Sequence, residues 1–501
     1  MKRLDPALTL LLLATSIPSF AAAEQTGAKT SGALRSSETP GVSLTEVVVP
    51  GPLVTFEAYQ SPSGERSLIL LVEPAEDSEG PRFIYELRMA DAARLSDLPV
   101  VLPPGTDSLA SVDLAGDGTA ELLIGEHGRI FRLVGEGKLE LALEGEGVDL
   151  KGRARSNLDG STVAASELVL AAIGSAKRLN LDPEEGRLRE TQSYGIPVKA
   201  RMQGRWLRLS SPLVSALPSP DSPREFTYMV GPEPIGDRRL RTLILEPGSG
   251  PEGAVRELWS QLPSPETVEE SLYALLDGEI VLLVTTIQAD KVGIFEKEKL
   301  RVLRLSEDRS RSGAKPILEV ESRTRNWYSP GVGVFDVNRD GFDDVVLVQP
   351  KGLGGGKLVV EAFMGSGSGA FEGQTRRTNL EVESETWSYG QDLDLDGLPD
   401  LVLIEDETLL VFVGNSEATG DLVVNEEPIW RVPIGTVNDR LQVLDVVGDE
   451  RPEVVLIEKE GTDFRSDESP EEDDSEAAPE EQEKPVRGRL SLVVFAGPGR
   501  G

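Results

Sequence analysis

Short apolar runs, each followed by a turn and a second apolar run, recur along the whole chain. The first runs include Ser67-Leu-Ile-Leu-Leu-Val, Leu168-Val-Leu, Phe226-Thr-Tyr, Ile280-Val-Leu-Leu-Val, Val345-Val-Leu-Val and Leu401-Val-Leu-Ile. Their partners include Ile130-Phe-Arg-Leu-Val, Leu240-Arg-Thr-Leu-Ile-Leu, Leu300-Arg-Val-Leu-Arg-Leu, Leu358-Val-Val-Glu-Ala-Phe, Leu409-Leu-Val-Phe-Val and Leu490-Ser-Leu-Val-Val-Phe. Runs of this length, rich in β-branched and aliphatic residues and bounded by turn formers, predict buried strands joined as hairpins. No stretch carries a sustained helical period, so the expected class is nearly all-β with antiparallel pairing throughout. An acid stands at or just before most first runs: Glu121, Glu167, Glu225, Glu279, Asp344, Asp400 and Glu453, with an acid-free copy at Ser67. The spacing of these anchors is roughly 55 residues, a repeat long enough for four strands and their loops.

Two turns carry more than turn formers. Asp336-Val-Asn338-Arg-Asp340-Gly341-Phe342-Asp-Asp344 and Asp392-Leu-Asp394-Leu-Asp396-Gly397-Leu398-Pro-Asp400 each place side-chain oxygens at positions 1, 3, 5 and 9 and glycine at position 6. Oxygen ligands at positions 1, 3 and 5, the backbone carbonyl at position 7 (Phe342 or Leu398) and the acid at position 9 suit a hard cation, with Ca2+ foremost. Glycine supplies a turn that a side chain obstructs. An EF-hand starts alike but needs glutamate at position 12 and an exiting helix; here position 12 is Leu347 or Leu403, inside a predicted strand.

The nine-residue pattern resembles the FG-GAP or VCBS-type repeat of integrin α-chains and many bacterial surface proteins. That resemblance implies a β-propeller of four-stranded antiparallel blades, with the loop between the first two strands of a blade and the ring closed by pairing an N-terminal strand, here Thr45–Val49, into the last blade. Eight anchors imply eight blades; seven, as in integrins, is the alternative. Asp113-Leu-Ala-Gly-Asp117-Gly-Thr-Ala-Glu121 lacks the position-3 ligand and is a weaker metal candidate, through Asp113, Asp117 and Glu121. Asp445-Val-Val-Gly-Asp449-Glu-Arg-Pro-Glu453 also lacks the glycine and reads as metal-free.

The N-terminus changes the picture of where this protein works. A charged start, an apolar stretch from Leu8 to Phe20 and Ala21-Ala22-Ala23 predict a signal peptide over 1–23. A flexible tether over 24–45 and a single propeller domain over 46–501 follow. The absence of cysteine in 501 residues removes disulfides and points to a bacterial exported protein, periplasmic or extracellular. A formal net charge of −35 argues against nucleic acid and against docking on anionic lipid, and suits cations or a basic partner. No later apolar stretch is long enough to insert in a bilayer. The low-complexity acidic tract 466–485 reads as a disordered insertion between the last two strands.

Candidate chemistry outside the loops is thin. His127 is the sole histidine, it lies in a predicted hairpin turn, and cysteine nucleophiles are excluded. Trp206, Trp327, Tyr328, Trp387 and Tyr389 precede repeat anchors and are the ligand-contact candidates, for stacking on a sugar or holding a peptide; packing between blades is the other reading. The expected function is thus a non-enzymatic recognition or scaffold module for a protein or glycan, either a monomer or part of an envelope assembly. The alternative is a calcium-dependent polysaccharide lyase or hydrolase with its site in the axial funnel.

Overall fold

The computed structural model describes the chain from Leu34 to Phe495, apart from 157–167, 196–209, 212–223, 231–238, 247–253, 260–266, 290–295, 305–316, 323–330, 459–487 and shorter stretches of five residues or fewer. The expected signal peptide lies outside the described residues, as does the acidic tract 466–485.

The described strands fall into eight sheets. The sixth is representative. Gly331–Phe335, Asp344–Lys351, Lys357–Gly365 and Phe371–Leu380 pair antiparallel in chain order. The seventh repeats this with Trp387–Gln391, Asp400–Glu405, Thr408–Phe412 and Trp430–Pro433. The second strand of each sheet explains why the apolar runs are continuous rather than alternating. In the sixth sheet Val345 and Leu347 pack with Val281, Leu283 and Val302 of the fifth. Val346 and Val348 point the other way, onto Leu401, Leu403 and Phe412 of the seventh. A strand alternates its side chains between two faces, and both faces here meet another sheet. Burying each such Val or Leu is worth roughly 1.5–3 kcal/mol, so these central strands carry much of the stability of a chain without disulfides.

The same two-faced arrangement joins the seventh sheet to the eighth, through Val402 against Val454 and Leu456. Val455 and Ile457 meet Leu68, Leu70 and Val72 of the first sheet, and Ile69 and Leu71 meet Leu122 and Ile124 of the second. Leu123 then faces Leu168 and Leu170 of the third. Backbone contacts between Arg187–Gly195 and Ala254–Trp259, and between Arg239–Glu246 and Thr267–Leu276, carry the sequence through the fourth sheet to the fifth. The sheets therefore pack face to face in a closed ring, which is a β-propeller.

Closure comes from the two ends of the chain. Val42–Val49 pairs antiparallel with Gly488–Phe495, Val42 opposite Phe495 and Val49 opposite Gly488, as the expected Thr45–Val49 closure required. The expected tether over 24–45 is corrected only in part: the strand starts at Val42 and Leu34–Arg35 pairs in turn with Leu44 and Thr45, while 24–33 and 36–40 lie outside the described residues. The polar composition of that stretch concealed an alternation in which Val42 and Leu44 enter one apolar cluster and Val47 and Val49 the opposite one. Glu453–Glu458 pairs with Gly488–Phe495, so the acidic tract falls in the connection between two hairpin strands.

Two further expectations need correction. Pairing is not antiparallel throughout, because Arg155–Ser156 runs parallel to Ser210–Ser211. Nor is every sheet four-stranded: the third has three strands among the described residues, and the first, fourth and eighth have five.

Candidate metal centre

Both nine-residue loops lie where the sequence placed them, between the first and second strands of the sixth and seventh sheets. Their backbones turn through two left-handed residues each: Arg339 and Gly341 (φ 58° and 84°), and Leu395 and Gly397 (φ 59° and 87°). Glycine adopts that conformation freely. At position 4 the cost of a side-chain-bearing residue is met by a ladder of side-chain acceptors. Asp336 accepts N–H bonds from Asn338, Asp340 and Gly341 at 3.3, 3.2 and 2.9 Å. Asn338 Oδ1 accepts from Asp340 N at 3.0 Å, and Asp340 Oδ1 from Phe342 N at 2.9 Å. In the second loop Asp392 accepts from Asp396 and Gly397 at 2.9 and 2.7 Å, Asp394 from Asp396 at 3.1 Å, and Asp396 from Leu398 at 2.8 Å.

The position-9 acids behave differently from the others. Asp344 is 0% and Asp400 1% exposed. Asp344 accepts from Val337 N at 3.1 Å and Gly365 N at 2.8 Å, and Asp400 from Leu393 N at 2.7 Å and Gly414 N at 2.9 Å. Each carboxylate thus clamps the start of its own loop to the end of the sheet's third strand. The loop-start half of the clamp persists in the weaker copies, where Glu121 accepts from Leu114 N at 2.8 Å and Glu453 from Val446 N at 2.7 Å. Sequence reasoning missed the glycine partners. A Cβ on Gly365 would stand 2.2 Å from the Asp343 carbonyl oxygen, and one on Gly414 would stand 2.5 Å from Leu398 Cβ. The only sequence signal for them is a glycine following an apolar strand, too common to single them out.

In the second loop, one carboxylate oxygen each from Asp392, Asp394 and Asp400 lies within 4.8 Å of the others. Burial pushes Asp400 up to about 7 against the lowering pull of its two N–H donors, and Asp394 and Asp392 add to the rise. Asp394 is pushed up to about 6, first by burial and then by Asp396 and Asp392. In the first loop burial takes Asp344 up to about 6, with Asp340 and Asp336 adding to it. Crowded, partly desolvated carboxylates of this kind fit a hard divalent cation, which would satisfy oxygens that repel one another. Position 7 differs between the loops: the Phe342 ring is exposed and lies over Gly367, whereas Leu398 is buried.

Contacts to neighbouring sheets hold the loops on both sides. Asp343 accepts from Asp277 N at 2.6 Å and donates its N–H to Asp277 Oδ1 at 3.1 Å; Asp277 is in the turn after Thr267–Leu276 of the fifth sheet. Arg339 of the first loop reaches Asp396 of the second, Nη2 to Oδ1 at 2.9 Å. Neither link was visible in the motif, since positions 4 and 8 are unconstrained in it.

Of the weaker candidates, Asp113 and Glu121 are placed at the corresponding turn of the second sheet, and Asp117 lies outside the described residues. Asp445, at position 1 of the fourth copy, bonds Arg66 Nη1 of the first sheet at 2.7 Å. His127, Trp206, Trp327 and Tyr328 lie outside the described residues. Trp387 and Tyr389 take the packing reading, one of the two that the sequence offered. A Cβ on Gly331 would stand 1.9 Å from the Trp387 ring, so the indole lies against the sixth sheet's first strand. Tyr389 meets Phe335 edge-to-face at 5.3 Å, and its hydroxyl is buried. Both join the cluster between the sixth and seventh sheets.

No protein-family model and no curated protein matches the chain. Among solved structures it is similar to the Dos1 propeller, with a TM-score of 0.48 and 8% identity over 90% of this chain and 94% of that one. The WD40 domain of SCAP from fission yeast gives a TM-score of 0.46 and 10% identity over 91% and 95% of the two chains. The Cps50 (Swd1) β-propeller domain of Myceliophteria thermophila gives 0.36 and 8% over 77% and 96%.

Proposed function

We propose that this chain is an exported, calcium-stabilised propeller of the FG-GAP or VCBS type with eight blades, acting as a non-enzymatic recognition or scaffold module for a protein or glycan partner. The observation that carries the reading is the convergence of Asp392, Asp394 and Asp400 at a turn whose fourth acid, Asp396, stands beside them in sequence. Asp336, Asn338, Asp340 and Asp344 supply the equivalent donors in the first loop, with the Phe342 and Leu398 carbonyls completing each set. Bound calcium supplies positive charge where acids crowd one another. The chain's own residues do the rest: Asp344 and Asp400 fix each loop to its sheet, and the loops tie the sixth sheet to its neighbours. The net charge of −35 favours a basic partner surface.

Calorimetric titration of the metal-stripped protein with calcium, alongside fractionation of the producing cells, tests this. Two sites and recovery outside the cytosol are expected; a chain that binds no calcium, or stays cytosolic, refutes it.

A further inference from the structure

Position 4 makes the two loops unequal. Both need a left-handed residue there, φ 58° at Arg339 and 59° at Leu395, but the second loop fills it with an exposed leucine and the first with a guanidinium. That guanidinium crosses to the next sheet and donates to Asp396 Oδ1 at 2.9 Å. Its Nε stands 3.5 Å from where a Cβ on Gly397 would lie, so the side chain covers the second loop's turn. Asp396 occupies position 5, which by the motif should join the donors at positions 1, 3 and 9. Only Asp392, Asp394 and Asp400 converge among the described residues. In the first loop the corresponding Asp340 instead accepts Asn338 Nδ2 at 2.8 Å, from within its own loop.

We propose that Arg339 is a built-in counter-ion of the neighbouring loop, holding Asp396 apart from the other three carboxylates until calcium displaces it, so that a residue of the first loop sets the affinity of the second. The proposal rests on the calcium reading above. The pair is accessible, with side chains 44% and 31% exposed, and an exposed ion pair is weak enough to be exchanged for a metal. Arg339 opposes binding in two ways: it competes for an oxygen, and it places a positive charge close to an incoming divalent cation. Without metal it does the reverse and offsets repulsion among the four acids.

The test is titration of the full chain and its Arg339→Gln and Arg339→Lys variants with calcium chloride at low salt, together with melts in EDTA. The wild type should show two sites of unequal affinity. In Arg339→Gln the weaker site should tighten roughly tenfold with the other unmoved, the effect expected for removing one charge near a divalent ion. Its melting temperature in EDTA should fall, and Arg339→Lys should stay close to wild type in both measurements. Two sites of unchanged or weakened affinity in Arg339→Gln overturn the proposal and leave the calcium reading standing. No calcium binding by the wild type overturns both.

Discussion

Asp396 and Asp400 stand four residues apart in one loop, yet replacing each by alanine should fail in different ways. In Asp400→Ala the N–H groups of Leu393 and Gly414, which donate at 2.7 and 2.9 Å to a carboxylate that is 1% exposed, lose their acceptor in the core. A buried donor without a partner costs about 1–3 kcal/mol, so two cost about 2–6 kcal/mol; relief of the carboxylate's own burial penalty holds the net to about 2–4 kcal/mol. Asp396→Ala gives up an exposed ion pair and one N–H bond, a loss of about 0–1 kcal/mol. Both variants also forfeit the calcium contribution of their site. For a dissociation constant of about 0.1–1 mM that is about 1.4–2.7 kcal/mol at 10 mM calcium. Scanning calorimetry in EDTA and in 10 mM calcium separates these terms, because a chain of this length shifts by roughly 1 °C per kcal/mol. In EDTA, Asp400→Ala should melt about 2–4 °C below wild type and Asp396→Ala within about 1 °C of it. Equal losses for the two variants in EDTA would refute the clamp assigned to position 9. An Asp396→Ala deficit that does not grow in calcium would refute the loop as a cation site.

Four further outcomes follow from the same geometry. In the wild type, 10 mM calcium should raise the melting temperature by about 3–5 °C over EDTA, since two such sites together contribute about 3–5 kcal/mol. Gly365→Ala should cost at least about 1–3 kcal/mol and reduce soluble yield, because its Cβ would stand 2.2 Å from the Asp343 carbonyl; a variant as stable as wild type would show that the turn yields. Trp387→Ala should lose roughly 2–4 kcal/mol in thermal or urea unfolding, whereas a fully stable variant would return Trp387 to a ligand-contact role. Deleting the chain up to Val49 exposes the edge of Gly488–Phe495 and should give aggregation on size-exclusion chromatography; a monodisperse product would mean the ring closes without its N-terminal strand.

Much of this structure is legible in the sequence because the ring is built from one strand type used repeatedly. Runs such as Val345–Val348 and Leu401–Ile404 are apolar at every position, which is what burial on both faces demands, and each one proved to be a central strand. The loops were legible for a related reason: the acceptors at positions 1, 3 and 5 serve backbone donors of the same loop, so local spacing determines local geometry. What the sequence did not disclose depends on distance along the chain. Asp277 reaches Asp343 across 66 residues, and Arg339 reaches Asp396 across the gap between two sheets. Such pairs carry no periodicity. The sequence left Trp387 with two readings, packing or ligand contact, for the same reason, since its partner Gly331 presents a bare backbone that composition does not reveal.

The four loops, taken together, separate two roles that a motif treats as one. The acid at position 9 bonds the position-2 N–H in all four, with aspartate at 344 and 400 and glutamate at 121 and 453. The ligands at positions 1, 3 and 5 are complete in only two. Where they decay, other groups take over: Asp445, at position 1 of the fourth copy, bonds Arg66 of the adjoining sheet. In these four loops position 9 therefore serves the fold by giving the position-2 N–H an acceptor, and it does so whether or not the full ligand set is present. On the calcium reading proposed above, metal binding is an addition to that clamp in the two loops with a full ligand set, those of the sixth and seventh sheets. On that reading the repeat extends through copies that lack the full ligand set, and calcium should stabilise the ring locally rather than be needed to form it.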